Sequence, residues 1–257
     1  MSALAFVNDA TISKTMTFTE MEEKLFVCPF CGSKGPLGLM GADRFPILSR
    51  LHVIGAGRRA ARCPNCFSTD KERLLFTYVK EFYGKNKLRE SHVLHIAPEN
   101  NLAKWLLSNS LEYIAGDAFL QDQQFEVNVS KVDIKKTSFP TDYFDLIICC
   151  HVICDIKEDS KAISELYRIL SSDGVAILQV PITKDCVTVV KDVHTKAERE
   201  EAYGYGYHER IYSQDDYVCR LRQAGFVVEI RNISKDFPLN GLNFNEDLYL
   251  CRKSKAS

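Results

Sequence analysis

From His92 onward, the chain alternates between short apolar runs and longer segments with helical periodicity. Seven runs have the length and composition of β-strands: residues 92–97, 112–116, 129–134, 144–150, 175–180, 227–230 and 247–251. The run at 144–150 is almost wholly apolar, which is typical of a strand buried on both faces. Strands that alternate with helices predict an open α/β sheet, mostly parallel, with helices on both faces.

Four segments repeat apolar residues at helical spacing: residues 71–83, 100–108, 158–170 and 213–224. Asp70 can cap the first of them, because a carboxylate accepts hydrogen bonds from the free N–H groups of a first helical turn. Gly84 is predicted to end that helix. The charged run at 196–201 is predicted to be a solvated helical face.

The chain upstream of this pattern divides into two parts. Residues 1–24 have little periodicity and are predicted to be a flexible arm. Residues 25–69 carry two Cys-x-x-Cys pairs, Cys28/Cys31 and Cys63/Cys66, separated by 31 residues. Residues 70–257 would then form the main domain.

The two cysteine pairs can serve one metal ion. Each pair can form a tight turn that directs two thiolates at an ion, and two such turns complete the tetrahedral site of structural zinc. The alternative is a pair of redox dithiols, but a redox pair normally opens a helix in a βαβ unit. Five glycines between Lys34 and Arg62 indicate turns and short strands, as in a zinc ribbon. The remaining cysteines lack ligand spacing and are predicted to be buried thiols: Cys149, Cys150, Cys154, Cys186, Cys219 and Cys251.

Composition narrows the class of protein. The 257 residues are 46% hydrophobic and 26% charged, which is globular composition and excludes a disordered or fibrous chain. Lys and Arg (33) balance Asp and Glu (34), so no global charge favours nucleic acid or a membrane surface. No signal-peptide pattern and no bilayer-spanning run is apparent, so a cytoplasmic location is expected.

Chemically interesting residues stand directly after the predicted strands. Ligands of open α/β sheets bind beyond the carboxyl ends of the strands. Glu99 follows the first strand, Asp117 the second and His151 the fourth, and Asp133 lies at the end of the third. Glu99 and Asp117 are 18 residues apart, near the spacing at which an acid binds ribose hydroxyls. These positions predict a nucleoside pocket.

Three motifs carry a resemblance to a known family: FDLIICCHVI at 144–153, AISELYRIL at 162–170 and GVAILQVP at 174–181. Residues 70–252 resemble class I S-adenosylmethionine-dependent methyltransferases, which implies a seven-stranded Rossmann-like sheet. VLHIAPE at 93–99, HERIY at 208–212 and the two cysteine pairs are similar to bacterial zinc-ribbon methyltransferases that modify polysaccharides.

The resemblance implies an S-adenosylmethionine site. Glu99 and the adjacent helix start would meet the methionine end, Asp117 the ribose and Asp133 the adenine amino group, with Ile134 packed on the ring. His95, Ala97 and Cys150 complete the expected cofactor contacts. The sequence departs from the wider family where Ala97 and its neighbours replace a Gly-x-Gly loop. It departs from the subgroup where Cys154 and Asp155 replace Glu and His.

Histidines are the candidate catalytic residues, because a hydroxyl acceptor needs a base that works near pH 7. His151 follows the fourth strand, and His208 lies in a Gly/Tyr-rich segment where lids often form. Tyr207, Arg210 and Tyr212 are predicted to contact substrate in that segment. The bland alternatives are a packed His151, a satisfied buried His95, a Tyr-rich surface loop and an Arg210 that pairs with a nearby acid.

Three functions are open at this point. The first is O-methylation of a small-molecule or carrier-linked saccharide, without membrane insertion. The second is RNA methylation, in which basic residues of the zinc ribbon grip nucleic acid, although near-zero net charge argues against it. The third is a scaffold without turnover, suggested by the missing glycines. Those basic residues are Arg50, Arg58, Arg59, Arg62, Lys71 and Arg73.

Overall fold

The computed structural model describes residues 26–120, 125–185 and 187–254. The predicted arm at 1–24 and the thiol of Cys186 lie outside the described residues. Within the described ranges, no helix has both the length and the apolar composition that a bilayer crossing requires.

The N-terminal module consists of two small antiparallel strand pairs and one short helix. Strand β1 (Phe26–Val27) pairs with β2 (Lys34–Gly35), and β3 (Gly38–Met40) pairs with β4 (Arg59–Arg62). Helix α1 (Pro46–Arg50) lies between β3 and β4. The predicted turns and short strands are present, but α1 is too short for helical periodicity to reveal it.

The main sheet has seven strands. In chain order, the strands of this region are β5 (His92–Ile96), β6 (Glu112–Asp117), β7 (Val129–Lys131), β8 (Phe144–Cys150), β9 (Leu170–Gln179), β10 (Ile182–Thr183), β11 (Tyr212–Ser213), β12 (Phe226–Arg231) and β13 (Leu248–Lys253). The sheet order is β12-β13-β9-β8-β5-β6-β7, and the strands from β5 to β9 are mutually parallel. Strand β13 is antiparallel to both of its neighbours, and β10 pairs in parallel with β11 outside the main sheet. The predicted mostly parallel, Rossmann-like sheet is confirmed, and its strand order reverses between β5 and β8, where such sheets bind ligands.

The helices of the main domain are α2 (Asp70–Tyr78), α3 (Lys85–Arg89), α4 (Asn100–Asn109), α5 (Asp159–Ile169), α6 (Lys196–Tyr203) and α7 (Gln214–Gln223). A π-helical turn, Val79–Gly84, extends α2 to the predicted end.

The predicted cap of α2 is wrong: the Thr69 side chain accepts from the Glu72 N–H at 3.4 Å. Asp70 already lies in the first turn, and both of its oxygens are occupied by Arg59, at 2.5 and 2.8 Å.

Strand β8 is buried on both faces, as its apolar sequence predicts. Ile147 and Cys149 belong to one core layer, which also contains residues of α5 and α7. Leu146 and Ile148 belong to the other, with residues of α2 and α4. Because successive side chains of a strand point to opposite faces, one run of seven residues joins both layers of the core.

The connection between β3 and β4 lies across the carboxyl end of the sheet. Ile54 pairs with Ile182 of β10, and the Leu51 carbonyl accepts from the Thr183 hydroxyl at 2.7 Å. Leu48 packs so closely on Gly204 that a Cβ there would lie 2.6 Å from it. The N-terminal module therefore forms one wall above the strand ends.

Candidate active site

A cavity of about 860 Å³ opens at the carboxyl ends of β5, β6 and β8. Its volume is near the upper end of the range for small-molecule sites. The structure brings most of the predicted site residues to this one cavity: Ala97, Asp117, Asp133, Ile134, Cys150, His151 and His208. Their individual roles remain predictions, but their convergence is a property of the fold.

The two aspartates lie on neighbouring parallel strands at the same edge of the sheet. Asp117 ends β6, is 5% exposed and accepts from the Phe119 N–H at 2.7 Å. Asp133 lies two residues beyond β7, is exposed and accepts from the Lys135 N–H at 2.9 Å. In both residues, a hydrogen bond to the following backbone fixes one carboxylate oxygen and so orients the side chain at the cavity.

The loop after β5 has a turn without glycine. Ala97 adopts a φ of 50°, in the left-handed region that glycine normally occupies, and its N–H donates to Gly116 O at 2.9 Å. A non-glycine residue there costs about 1–2 kcal/mol. The missing Gly-x-Gly has therefore not abolished the turn, since Ala97 takes its conformation and lines the cavity.

Neither His95 nor Glu99 is among the residues that line the cavity, although both were expected to contact cofactor. The His95 ring is fully buried, with Nδ1 3.1 Å from the Tyr113 hydroxyl and Nε2 2.9 Å from Glu99 Oε2. Glu99 also pairs with Lys71 Nζ, 3.5 Å from Oε1. Burial alone would raise the pKa of Glu99, but His95 and Lys71 lower it to about 2. His95 therefore supports the carboxylate of Glu99 from behind.

His151 is held in a strained position. Its φ is 58°, and its N–H donates to Gln179 O at 2.8 Å. Burial, helped by the charges of Lys71, His208 and Arg59, lowers the pKa of His151 well below its usual value. Its Nε2 is buried and has no hydrogen-bond partner among the described residues. The ring is thus a neutral, weakly basic group with one nitrogen open to a ligand.

His208 forms a dyad with Asp155, a residue that the sequence left without a role. The His208 Nδ1 lies 2.6 Å from Asp155 Oδ1, and both residues line the cavity. Tyr205 also lines it and meets the His208 ring edge-on, with centroids 5.0 Å apart. The aspartate accepts the Nδ1 proton, so Nε2 becomes the basic nitrogen.

Three predicted substrate contacts do not fit the structure. Tyr207 is 47% exposed and lies outside the cavity lining, where Lys196 covers its ring. Arg210 donates to Ile156 O and Lys157 O, both at 2.8 Å, and pairs with Asp159 at 3.1 Å. Tyr212 is fully buried and donates to Asp159 at 2.6 Å. Arg210 and Tyr212 instead hold the loop after β8, which carries Asp155.

The four cysteines of the N-terminal module converge as predicted. Their Sγ atoms all lie within 4.8 Å of one another, with Cys28 and Cys66 3.5 Å apart and Cys31 and Cys63 3.7 Å apart. A tetrahedral zinc ion with bonds of about 2.3 Å needs sulfur atoms about 3.8 Å apart. The donor set and its spacing therefore fit structural zinc, and these four thiols would hold it.

The two cysteine turns repeat one backbone pattern. The Cys28 N–H donates to Ser33 O and the Cys63 N–H to Ser68 O, both at 2.9 Å. The left-handed position is Gly32 in the first turn and Phe67 in the second. This repetition presents the two cysteine pairs to one centre.

Four of the six basic residues on which the RNA alternative depends are engaged within the protein. Arg59 binds Asp70, and Arg58 binds Asp43 at 3.0 Å. Arg73 is fully buried and donates to four backbone carbonyls at 2.5–3.0 Å. Lys71 lines the cavity. From the sequence, these six residues were expected to form one basic surface. In the structure, only Arg50 and Arg62 of the six are exposed without an acidic partner in the described ranges.

One part of the cavity wall was not predicted from the sequence. Residues 40–59, between β3 and β4, contribute a wall that includes Met40, Arg44, Phe45, Leu48 and Arg59. Gly55 sits at its base: a Cβ there would lie 3.3 Å from the His151 ring and 3.5 Å from Glu246. The glycine content of this segment was a signal of turns, but no local pattern shows what a turn covers.

Residues 100–178 match the family model described as a methyltransferase domain, over less than one third of the chain. This match confirms the prediction of a methyltransferase, and an S-adenosylmethionine cofactor is supported with it. None of the curated proteins matches this chain.

Several solved structures are similar in fold, at low identity. The [4+2]-cyclase SpnF is 14% identical, with 72% of this chain and 82% of that one covered and a TM-score of 0.48. S-adenosylmethionine-dependent methyltransferases from Archaeoglobus fulgidus and Mesorhizobium loti are 16% and 11% identical, with 70% and 64% of this chain and 99% and 90% of theirs covered. Their TM-scores are 0.44 and 0.45. At these values the likeness decides nothing about substrate.

Proposed function

We propose that this protein transfers the methyl group of S-adenosylmethionine to a hydroxyl group of a sugar or of another small or carrier-linked substrate. One observation carries the proposal: the acids after adjacent parallel strands and the His208–Asp155 dyad line the same cavity. The acids suit the hydroxyls and amino group of an adenosine, and the dyad suits the deprotonation of an alcohol.

S-adenosylmethionine supplies an electrophilic methyl group on a sulfonium when it is bound. The protein must then align an acceptor oxygen with that group and exclude water, which can contribute about 7–11 kcal/mol. Asp117 would bind the ribose and Asp133 the adenine, with Ile134 against the ring. The wall at residues 40–59 would cover the acceptor.

Nε2 of His208 would accept the proton of the acceptor hydroxyl, so that the acceptor oxygen is free to take the methyl group that the cofactor supplies. Asp155 keeps the proton on Nδ1 and stabilises the imidazolium that results. His151 is the poorer base, since its pKa is lowered well below the usual value by burial. Its unpartnered Nε2 would instead hydrogen-bond the acceptor or the cofactor.

Structural zinc at Cys28, Cys31, Cys63 and Cys66 belongs to the same proposal. The ion would fix the two ends of the segment that walls the cavity, since the cysteine pairs flank residues 40–59. Its contribution is to the shape of the acceptor side, and no chemical step involves it.

The experiment is calorimetric titration of the zinc-loaded protein with S-adenosylmethionine, followed by assay of S-adenosylhomocysteine released with an acceptor panel. We expect binding, and turnover with hydroxyl acceptors such as nucleotide sugars. Absence of binding would contradict the proposal. Turnover with RNA alone would replace it with the nucleic-acid alternative, and binding without turnover on any acceptor would favour the scaffold.

A further inference from the structure

Lys71 is a cation of the cavity wall rather than of the protein surface. It lies in the first turn of α2, five residues after Cys66, and lines the cavity. Its Nζ is 3.5 Å from Glu99 Oε1, and the side chains of the pair are 25% and 12% exposed. Glu99 Oε1 is buried and accepts no hydrogen bond from the described residues. Glu99 is not among the residues that line the cavity, so Lys71 is the member of the pair that faces a ligand.

The N-terminus of α4 could bind an anion at this end of the cavity, but a carboxylate of the protein already occupies it. Free N–H groups at a helix N-terminus bind anions, and α4 starts directly after Glu99. Here Glu72 accepts from the N–H groups of Asn101 and Leu102, at 2.8 and 3.0 Å. These two N–H groups are therefore not free to bind a ligand carboxylate, which needs a different positive group.

The other cations of the cavity wall are engaged or remote from this end. Arg59 is bound by both oxygens of Asp70, and Lys135 lies 3.8 Å from Asp133 and 3.6 Å from Glu158. Arg44 and Lys157 belong to the exposed loops of the far wall. Lys71 stands beside Glu99, next to the loop after β5 where the methionine end is expected.

Resting on the proposed function, we propose that Lys71 binds the carboxylate of the amino-acid headgroup of S-adenosylmethionine. Glu99, 3.5 Å from the Lys71 ammonium, holds that group in place from behind. The ammonium has three protons, so it can pair with Glu99 and with the ligand carboxylate at the same time. The segment that follows the second cysteine pair thereby supplies a cofactor contact that the sheet itself lacks.

The test measures how one substitution changes the affinity for two ligands, one of which lacks the headgroup. S-adenosylhomocysteine carries the headgroup, whereas 5′-methylthioadenosine has the same nucleoside and sulfur without it. Calorimetry on the zinc-loaded full chain should show Lys71→Met weakening S-adenosylhomocysteine about 10- to 100-fold, as expected for one charged hydrogen bond. Binding of 5′-methylthioadenosine should stay within about twofold, since that ligand makes no contact with Lys71.

Two further variants keep the test decisive. Lys71→Arg retains the charge, so it should preserve most of the preference for S-adenosylhomocysteine even if Lys71→Met folds poorly. Lys80→Met removes a cation from the π-helical turn after α2, outside the cavity lining, and should change neither affinity.

The outcomes separate the two proposals. Unchanged S-adenosylhomocysteine affinity in Lys71→Met, or an equal loss for both ligands, overturns the headgroup assignment while the proposed function stands. If the parent protein binds neither ligand, the proposed function falls and the headgroup assignment falls with it. A loss confined to S-adenosylhomocysteine supports the assignment.

Discussion

The two ends of the cavity are built by different means. At the proposed cofactor end, Ala97, Asp117 and Cys150 each terminate or directly follow a strand of one parallel sheet, and Asp133 lies two residues beyond β7. Their relative positions are set by the backbone hydrogen bonds between β5, β6, β7 and β8. This end of the site follows from sheet topology.

The acceptor end is assembled from segments that are far apart in the sequence. It joins the wall at residues 40–59, the loop that carries Asp155 and the segment that carries Tyr205 and His208. Side-chain packing, such as Leu48 on Gly204, and buried ion pairs hold these segments together. The difference teaches that cofactor binding and acceptor binding should fail separately, because only the second depends on the N-terminal module.

Loss of zinc should have the largest effect. Structural zinc contributes about 10–16 kcal/mol of apparent binding energy, so Cys28→Ser should abolish metal binding and unfold the N-terminal module. Metal analysis and a thermal melt would record this, and turnover should be lost with it. Cys219→Ser, at an exposed thiol outside the N-terminal module, is the control. A variant with parental zinc content and melting temperature would show that the site is misassigned.

Removal of the base should come next. His208→Gln should lower kcat by about 10²- to 10⁴-fold, the usual contribution of general base catalysis, and leave S-adenosylhomocysteine affinity unchanged. His194→Gln alters an exposed histidine and should behave as the parent. Calorimetry and steady-state kinetics separate the two quantities. An equal fall in S-adenosylhomocysteine affinity and in kcat would place His208 at the cofactor end. The two ends of the cavity would then not differ in the way described above.

Asp117→Asn should have the opposite signature. Loss of a charged acceptor for the ribose hydroxyls costs about 1.5–3 kcal/mol, so S-adenosylhomocysteine should bind about 10- to 100-fold more weakly. The acceptor KM should change little. Asp173→Asn, at an exposed position of β9, is the matched control. Parental affinity in Asp117→Asn would refute the ribose assignment.

The smallest effect concerns pH and Glu246, a buried carboxyl group close to Gly55 of the cavity wall. Burial, followed by the charge of Asp70, raises the pKa of Glu246 from 4.5 to about 7. A raised pKa means that folding favours the protonated form, so this stabilisation is complete below about pH 4.5 and is lost as the pH rises through 7. The loss is at most about 3 kcal/mol.

Glu246→Gln keeps the shape of the side chain but removes its titratable carboxyl group. Relative to the parent, this variant should gain melting temperature between pH 5 and pH 8. Glu229→Gln, on β12 away from the cavity lining, should show no such gain. A difference between variant and parent that stays constant over this range would show that Glu246 does not titrate there.

Much of the sheet could be predicted from local pattern. Strand β8 has the predicted bounds, because seven nearly unbroken apolar residues require burial on both faces. Helix bounds were less accurate where tertiary contacts intervene: Asp70 was expected to cap α2, but Arg59 occupies its carboxylate. The charge partner comes from another element, so nothing in the helix sequence reveals it.

Site residues divide in the same way. Asp117 and Asp133 could be placed because strand ends of a parallel sheet meet at one edge. In the Gly/Tyr-rich segment, the choice of Tyr207 over Tyr205 was wrong, since alternating Tyr residues give no information about which face meets the cavity. Arg210 was expected to bind substrate, yet it is bound by carbonyls of the loop after β8.

The sequence by itself determined the order of strands and helices, the acids at the strand ends and the four thiols with their pairing into two turns. These features depend on periodicity and spacing, which are local. Only the tertiary structure decided that residues 40–59 wall the cavity, that Asp155 meets His208 and that Lys71 faces Glu99. Such contacts join residues that are tens to more than a hundred positions apart, where packing and charge pairing decide the partner.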